Sequence, residues 1–294
     1  MNSKSKLLNN IGNFVIFIGP SLIAFSCVLL IPLIYGVYLT FTNYSPIKLT
    51  YEFVGFSNFQ AVFTDKEFWQ QFVKTLGYVF YSTIFCNVIA FLLAYLLTSN
   101  IKARGFLRAG FFTPNLIGGI VLGYIWKFIF ANVFTKVGDA LGYQPLMTSF
   151  LTHPDRAIIA MIIVTVWQYA GYLMIIYIAG FVGIPQEVQE ASEIDGATGF
   201  KKLCSITIPL MVPSFIICFF IVISRGFMTY DLNLALTNGQ PYGSTRLAAM
   251  HIYQKAFQAN EYGIGQAEAI IFFATVAIVA VSQVLLTKKF EVEA

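Results

Sequence analysis

The stretch EASEIDGATGFKKLCSITIP, residues 190–209, is charged and broken by glycine, and it lies between two long apolar segments of a chain that otherwise avoids charge. Pro185 just before it suits the first turn of a helix, where a missing N–H costs nothing. From there Glu187, Glu190 and Glu193 recur every third residue, and Val188, Ala191 and Ile194 take the same spacing on a neighbouring stripe. This spacing predicts a short two-faced helix, acids on one side and small or branched apolar groups on the other. Asp195-Gly196 ends it, and Gly196 permits either a positive φ or close approach by another backbone. Thr198 can cap a second helix running through Lys201 and Lys202 into Ile206-Thr207-Ile208-Pro209. Such a loop offers a dock to a soluble partner, although a plain solvated connector between two spans would show the same spacing.

Working outward, composition sets the class. Only 11 % of the 294 residues are charged, against 57 % hydrophobic and 17 % aromatic. A soluble protein of this size could not cover its surface with so little polarity. The net charge of +4 is spread along the chain, with no basic stripe for nucleic acid. Cys27, Cys86 and Cys218 sit in apolar runs and Cys204 in the charged loop, without metal-ligand spacing or a disulfide pattern. Apolar runs at 14–39, 74–97, 109–131, 157–183, 211–230 and 267–287 each reach the roughly twenty residues that cross a bilayer as helix. The first is too long for a signal-peptide core and is expected to remain as an anchor. Pro20, Pro32, Pro114 and Pro213 predict kinked spans. The reading is an all-α integral membrane protein with six transmembrane helices.

Basic residues orient it. With both termini cytoplasmic, the inside segments carry Lys4, Lys6, Lys102, Arg104, Arg108, Lys201, Lys202, Lys288 and Lys289. The longer outside loops carry Lys48, Lys66, Lys136, Arg156, Arg246 and Lys255. This is the positive-inside bias, and it places the loop at 184–210 in the cytoplasm.

Glu190-Ala191-Ser192, then Gly196-Ala197, then Ile206-Thr207-Ile208-Pro209 resembles the EAA loop of binding-protein-dependent ABC importer permeases. Ser192 stands where a second Ala is usual and Ile208 where a Leu is. Phe41-Thr42-Asn43-Tyr44, the run 53–59, Phe68-Trp69, Arg104–Arg108, Tyr124–Lys127 and Leu236–Pro241 are likewise similar to the maltose/raffinose-type sugar permeases, with Gln240 replacing a Gly. The resemblance implies an ABC importer type I permease fold with a cytoplasmic coupling helix, multi-pass in the bacterial cell membrane. It divides the chain into 1–70, with the first span and first external loop, and a permease core at 71–290. It also implies a second homologous permease, two ABC ATPase subunits, a solute-binding protein outside, and surrounding lipid. No Gly-x-x-x-x-Gly-Lys-Ser/Thr phosphate loop occurs in the chain, so ATP and Mg belong to the ATPase and no cofactor or enzymatic activity is expected here. Glu190, Ala191, Ser192, Asp195, Gly196 and Ala197 are the implied coupling residues. Glu190 would pair with a basic group, Ala191 and Ala197 would allow close approach, and Gly196 would supply the bend.

Polar residues inside spans tend to face a partner helix or a cavity. The fourth span offers Gln168, Tyr169 and Tyr172, and the fifth offers Arg225 and Thr229, with Gly226 making room between them. Aromatic faces stack on sugar C–H surfaces, while amide, guanidinium and hydroxyl groups satisfy sugar hydroxyls. The same side chains could instead bond neighbouring helices. Arg225 could pair with Asp231, with a group on the partner permease, or with an anionic cargo. Lys127 and Glu268 are expected near span ends, and His153 and His251 on surface loops. The loops at 40–73 and 231–266 are where a binding protein would touch. Oligosaccharide is the implied cargo, with glycerol phosphate or an amino sugar as the alternative. An ion-coupled carrier would have no reason to hold an EAA loop, and a membrane enzyme would need a convergent catalytic set that is not seen.

Overall fold

The computed structural model describes residues 16–47, 51–99, 101–144 and 148–289; Lys4, Lys6 and Lys48 of the orientation argument lie outside these. In chain order the main helices are α1 (Ile16–Leu39), α2 (Ser57–Thr64), α3 (Lys66–Thr98), α4 (Arg104–Phe112), α5 (Gly119–Leu141) and α6 (Pro154–Val182). They continue as α7 (Gln186–Ile194), α8 (Gly199–Leu210), α9 (Val212–Phe227), α10 (Asp231–Leu236), α11 (Ala248–Tyr253) and α12 (Tyr262–Lys288). Five are long and apolar enough to cross a membrane, or up to six crossings if the bent pair α8–α9 is one span. The chain divides into two compact units: the chain up to Asp65 with Ile252–Ile271, and Lys66–His251 with the chain from Phe272.

In the first unit, α1 carries a π turn at Ser26–Leu30 directly before Pro32, whose ring disturbs the regular ladder. Asn58 donates through Nδ2 to the carbonyls of Thr40 and Thr42, both at 2.8 Å, and so ties α2 to the end of α1. Lys255 pairs with Asp65 at 3.4 Å and Glu261 at 3.2 Å. Burial alone would lower its pKa, but the two carboxylates outweigh this and hold it above the ordinary lysine value. Glu268 corrects the sequence reading. It stands in the second turn of α12, further from the helix start than the apolar run indicated, and it is fully buried.

The second unit is built on α3 and α6, with α9 laid against both. Cys86, Ala90 and Leu97 of α3 pack with Leu173, Met174 and Tyr177 of α6 and with Cys218 and Val222 of α9. A second cluster joins Tyr78, Met161 and Val164 to Leu122, Phe227 and Leu236. Helices in lipid gain little from apolar contact alone, so small residues and polar links decide the packing. Gly123 of α5 is such a site, because a Cβ there would lie 2.6 Å from Cβ of Ala235 in α10. Gly171 of α6 is another, where a Cβ would overlap the Phe111 carbonyl and reach the Phe112 nitrogen at 2.9 Å.

Three expectations change. The run 109–131 is not one span: α4 ends in a 3-10 turn at Thr113–Leu116, and the backbone is extended at Ile117 and Gly118 before α5 begins. Pro114 cannot donate into the ladder, which accounts for the break. Helix α5 then continues to Leu141 through a segment that looked like loop, because Asn132, Lys136 and Asp139 dilute its apolar signal. It ends at Gly142 with φ 65°, where Tyr143 N–H bonds the Gly138 carbonyl at 3.0 Å. The run 211–230 is only the second arm of a pair bent by 70° at Met211. His251 is buried rather than on a surface loop, its ring 6.1 Å from that of Phe68; His153 is exposed, as expected.

The crowding at Gly171 predicts that Gly171→Ala destabilises the solubilised protein by about 1–3 kcal/mol, the usual cost of overpacking. Gly105→Ala, in α4 with no atom within 4 Å of the new methyl, should be neutral or raise the thermal midpoint slightly. Equal midpoints for the two variants would contradict the close α4–α6 approach.

Candidate functional site

Helix α7 ends in a Schellman turn. Ala197 N–H bonds the Ser192 carbonyl at 2.9 Å and Gly196 N–H the Glu193 carbonyl at 3.1 Å, with Gly196 at φ 70°. Of the two uses open to Gly196, the positive φ applies, since nothing lies within 4 Å of a Cβ built there. Ser192 is buried and donates through Oγ to the Gln189 carbonyl at 2.6 Å. Glu190 accepts from Gln186 Nε2 at 2.7 Å, and Glu193 pairs with Lys202 at 3.1 Å, linking α7 to α8. Glu190 and Asp195 are exposed.

The apolar stripe of α7 is largely open: Val188 is half-buried. Ala191 is exposed, as are Ile194 at 87 % and Phe200 at 80 %. Ala197 is buried against its own chain. The capped turn draws it inward as the residue after the left-handed glycine, which commonly makes the accompanying apolar contact. Thr198 occupies the N-cap position of α8 without a side-chain capping bond.

The span residues fall around one face of α6. Tyr169 and Tyr172, three apart, take neighbouring positions on it and are both half-buried. On one side the Arg225 guanidinium lies over the Tyr169 ring, 5.8 Å from its centroid. Thr229 donates to the Arg225 carbonyl at 3.1 Å. On the other side Gln168 is buried and donates through Nε2 to the Ile117 carbonyl at 3.0 Å. That bond satisfies an acceptor exposed by the break in the third run, which is how irregular backbone is tolerated at depth. The Tyr172 ring lies 6.4 Å from Phe112. Gly226 makes room for α3 rather than for a cavity, as a Cβ would stand 3.1 Å from Val79.

Tyr169 stands near the middle of the 29-residue α6, so Arg225 is at mid-span depth. Arg225 is exposed and forms no ion pair with Asp231 among the described residues. Asp231 instead begins α10 and packs beside Gly119 at the start of α5, where two helix N-termini favour a carboxylate. A bare guanidinium facing lipid at that depth costs at least about 2.5–3.5 kcal/mol, so this face opens onto a partner helix or water.

Sequence reasoning missed a cavity of about 1600 Å³ on another side of α6, lined by Tyr81, Phe85 and Ile89 of α3, Phe106 and Phe111 of α4, and Ile159, Ile163 and Trp167 of α6. Lys74 and Asp155 stand in its lining, and none of the predicted substrate residues does. Its walls are too apolar to satisfy a polyhydroxylated solute. A helix-period reading of α3 at positions 74, 77, 81, 85 and 89 could have found it.

These features define a membrane-embedded helical protein with an exposed, capped turn between two short helices. The chain belongs to the family of binding-protein-dependent transport system inner membrane components, whose model matches residues 13–292. It is 40 % identical over 295 residues, 100 % of each chain, to the probable starch degradation products transport system permease protein AmyD of Thermoanaerobacterium thermosulfurigenes. It is 34 % identical to the multiple sugar-binding transport system permease protein MsmF of Streptococcus mutans, covering 98 % of this chain and 99 % of that one. Its all-helical type I ABC permease fold matches a chain of a bacterial ABC transporter involved in alginate import with TM-score 0.81 and 20 % identity, covering 97 % and 99 % of the two chains.

The turn geometry predicts that Gly196→Ala, which must adopt a left-handed backbone costing about 1–2 kcal/mol, speeds hydrogen exchange of the Gly196 and Ala197 amides about tenfold or more. Gly196→Asn, which tolerates that conformation, should stay close to the parent; similar exchange in the two variants would contradict the capping role.

Proposed function

We propose that this chain is one of two permease subunits of an ATP-driven, binding-protein-dependent importer of oligosaccharides. It crosses the bacterial membrane six times with both termini in the cytoplasm, and the bent pair α8–α9 supplies the fifth crossing. A second homologous permease completes the path, two ABC ATPases holding ATP and Mg sit beneath the pair with one of them docked on α7, and an extracellular or periplasmic sugar-binding protein delivers cargo. The observation that carries this reading is the open face of Tyr169, Arg225 and Thr229 at mid-span, which offers the aromatic, guanidinium and hydroxyl groups that a sugar ring needs. The full-length similarity to permeases named for starch degradation products and multiple sugars supports the cargo class. Exposed Arg225 favours a second reading, an anionic cargo such as glycerol phosphate, because no acidic partner meets it among the described residues.

Tagging the chain in its native membrane and identifying stoichiometric partners tests the assembly. A second six-span permease with an ABC ATPase is expected, whereas recovery alone or as a homodimer would point to an independent carrier. In the assembled complex, Tyr169→Ala should lower sugar uptake about tenfold or more with partners retained. Arg225→Gln separates the two cargoes, abolishing uptake of an anion while merely weakening that of a neutral sugar. Gly196→Asp should remove transport while the chain stays in the membrane, since the carboxylate would project from an otherwise tolerated turn into the docking surface; normal uptake by it would defeat the coupling role.

A further inference from the structure

Helix α8 is not accounted for by cargo or by the coupling turn. It is bent 70° from α9, and α9 runs against the long helices α3 and α6. With those helices crossing the bilayer, α8 lies nearer the membrane plane than its normal. Leu203, Ile206 and Leu210 are partly covered, while Phe200, Lys201, Cys204 and Ser205 are exposed. Exposed Phe200 and Cys204 and partly covered Ile208 follow at intervals of four through the π turn at Leu203–Thr207. The result is an apolar stripe beside an exposed ammonium, running straight into Met211 and the span.

We propose that α8 lies in the cytoplasmic headgroup layer, with Phe200, Cys204 and Ile208 at the boundary of headgroups and acyl chains and Lys201 drawn to anionic phospholipid. This rests on the cytoplasmic placement of the loop proposed above. An amphipathic helix with a basic flank is the arrangement that binds anionic bilayers in this way. The stripe is continuous with a membrane span, and Lys201 complements an acidic leaflet. The soluble-facing residues Ala191 and Ile194 belong to the separate helix α7, so lipid is the occupant that the geometry favours for α8. Lys202, held by Glu193 at 3.1 Å, fastens this surface helix to the coupling helix.

Cys204 supplies the probe. Of the four free cysteines only Cys27 and Cys204 are exposed, so Cys27→Ser leaves one reactive thiol for a bimane label. The labelled permease, with its co-purifying partners, is placed in vesicles of phosphatidylethanolamine and phosphatidylglycerol carrying brominated chains. Quenching by the brominated lipid is expected, and it should fall at least twofold with Lys201→Gln or when phosphatidylcholine replaces the anionic mixture. Quenching by aqueous iodide alone, or protection from both quenchers by the ATPase, would overturn the inference while leaving the proposed function intact. Labelling of Cys204 by an impermeant maleimide from the outer side of the cell would instead overturn the topology, and the inference with it.

Discussion

Two buried hydrogen bonds between α3 and α6 set the frame on which everything else is hung. Tyr78 and Thr165 meet hydroxyl to hydroxyl at 2.6 Å, and Tyr177 donates to Asn87 at 2.7 Å. Both helices advance in the same direction between the two bonds, which fixes a parallel pair and its register. In an apolar medium such bonds cannot be exchanged for water, so a slipped register would leave four polar groups without partners. Helix α9 then fits against both members and carries Thr229, whose hydroxyl donates to the Arg225 carbonyl. The position of the candidate cargo face therefore follows from where α3 and α6 are pinned.

The same logic explains why the third apolar run could be broken. An extended backbone at Ile117 leaves a carbonyl that lipid cannot satisfy, and buried Gln168 answers it from the pinned helix. Gly171, one turn further along, lets the broken segment approach closely enough for that to happen. Gln168 thus serves the scaffold, while Tyr169, its chain neighbour, turns toward Arg225. A helix places adjacent residues about 100° apart, so structural and exposed roles can alternate along one short stretch.

Much of this was legible before any coordinates. Apolar run length located four of the five candidate spans, with their C-terminal ends within one residue, and the Pro185 and Asp195-Gly196 signals bracketed α7 correctly. The errors share a cause: periodicity does not report which backbone groups will be satisfied from elsewhere. Pro114 announced a kink but not a full break, because the donor that answers the Ile117 carbonyl, Gln168, lies fifty-one residues beyond Ile117. Glu268 read as a residue at a span mouth because its helix starts earlier, at Tyr262, than hydropathy alone indicated. The cavity beside α3 and α6 went unseen because a chain apolar on nearly every face gives no contrast from which to choose one.

A continuous physical connection joins the exposed turn to the mid-span face. Glu193 holds Lys202, α8 runs to Met211, the chain bends by 70°, and α9 carries Arg225 in its last turn. Each joint has a different stiffness. The salt bridge is partly exposed and weak on its own, whereas the Schellman turn is fixed by backbone bonds and α9 by packing on two long helices. Displacement of α7 would therefore be absorbed first at the softest points, the ion pair and the π turn, unless something holds α8 in place. A support beneath α8 would convert that displacement into tilt at Met211 instead of into local unwinding. Within the proposed importer, the mechanical value of α8 thus depends on the surface it lies against, so the membrane itself becomes part of the coupling.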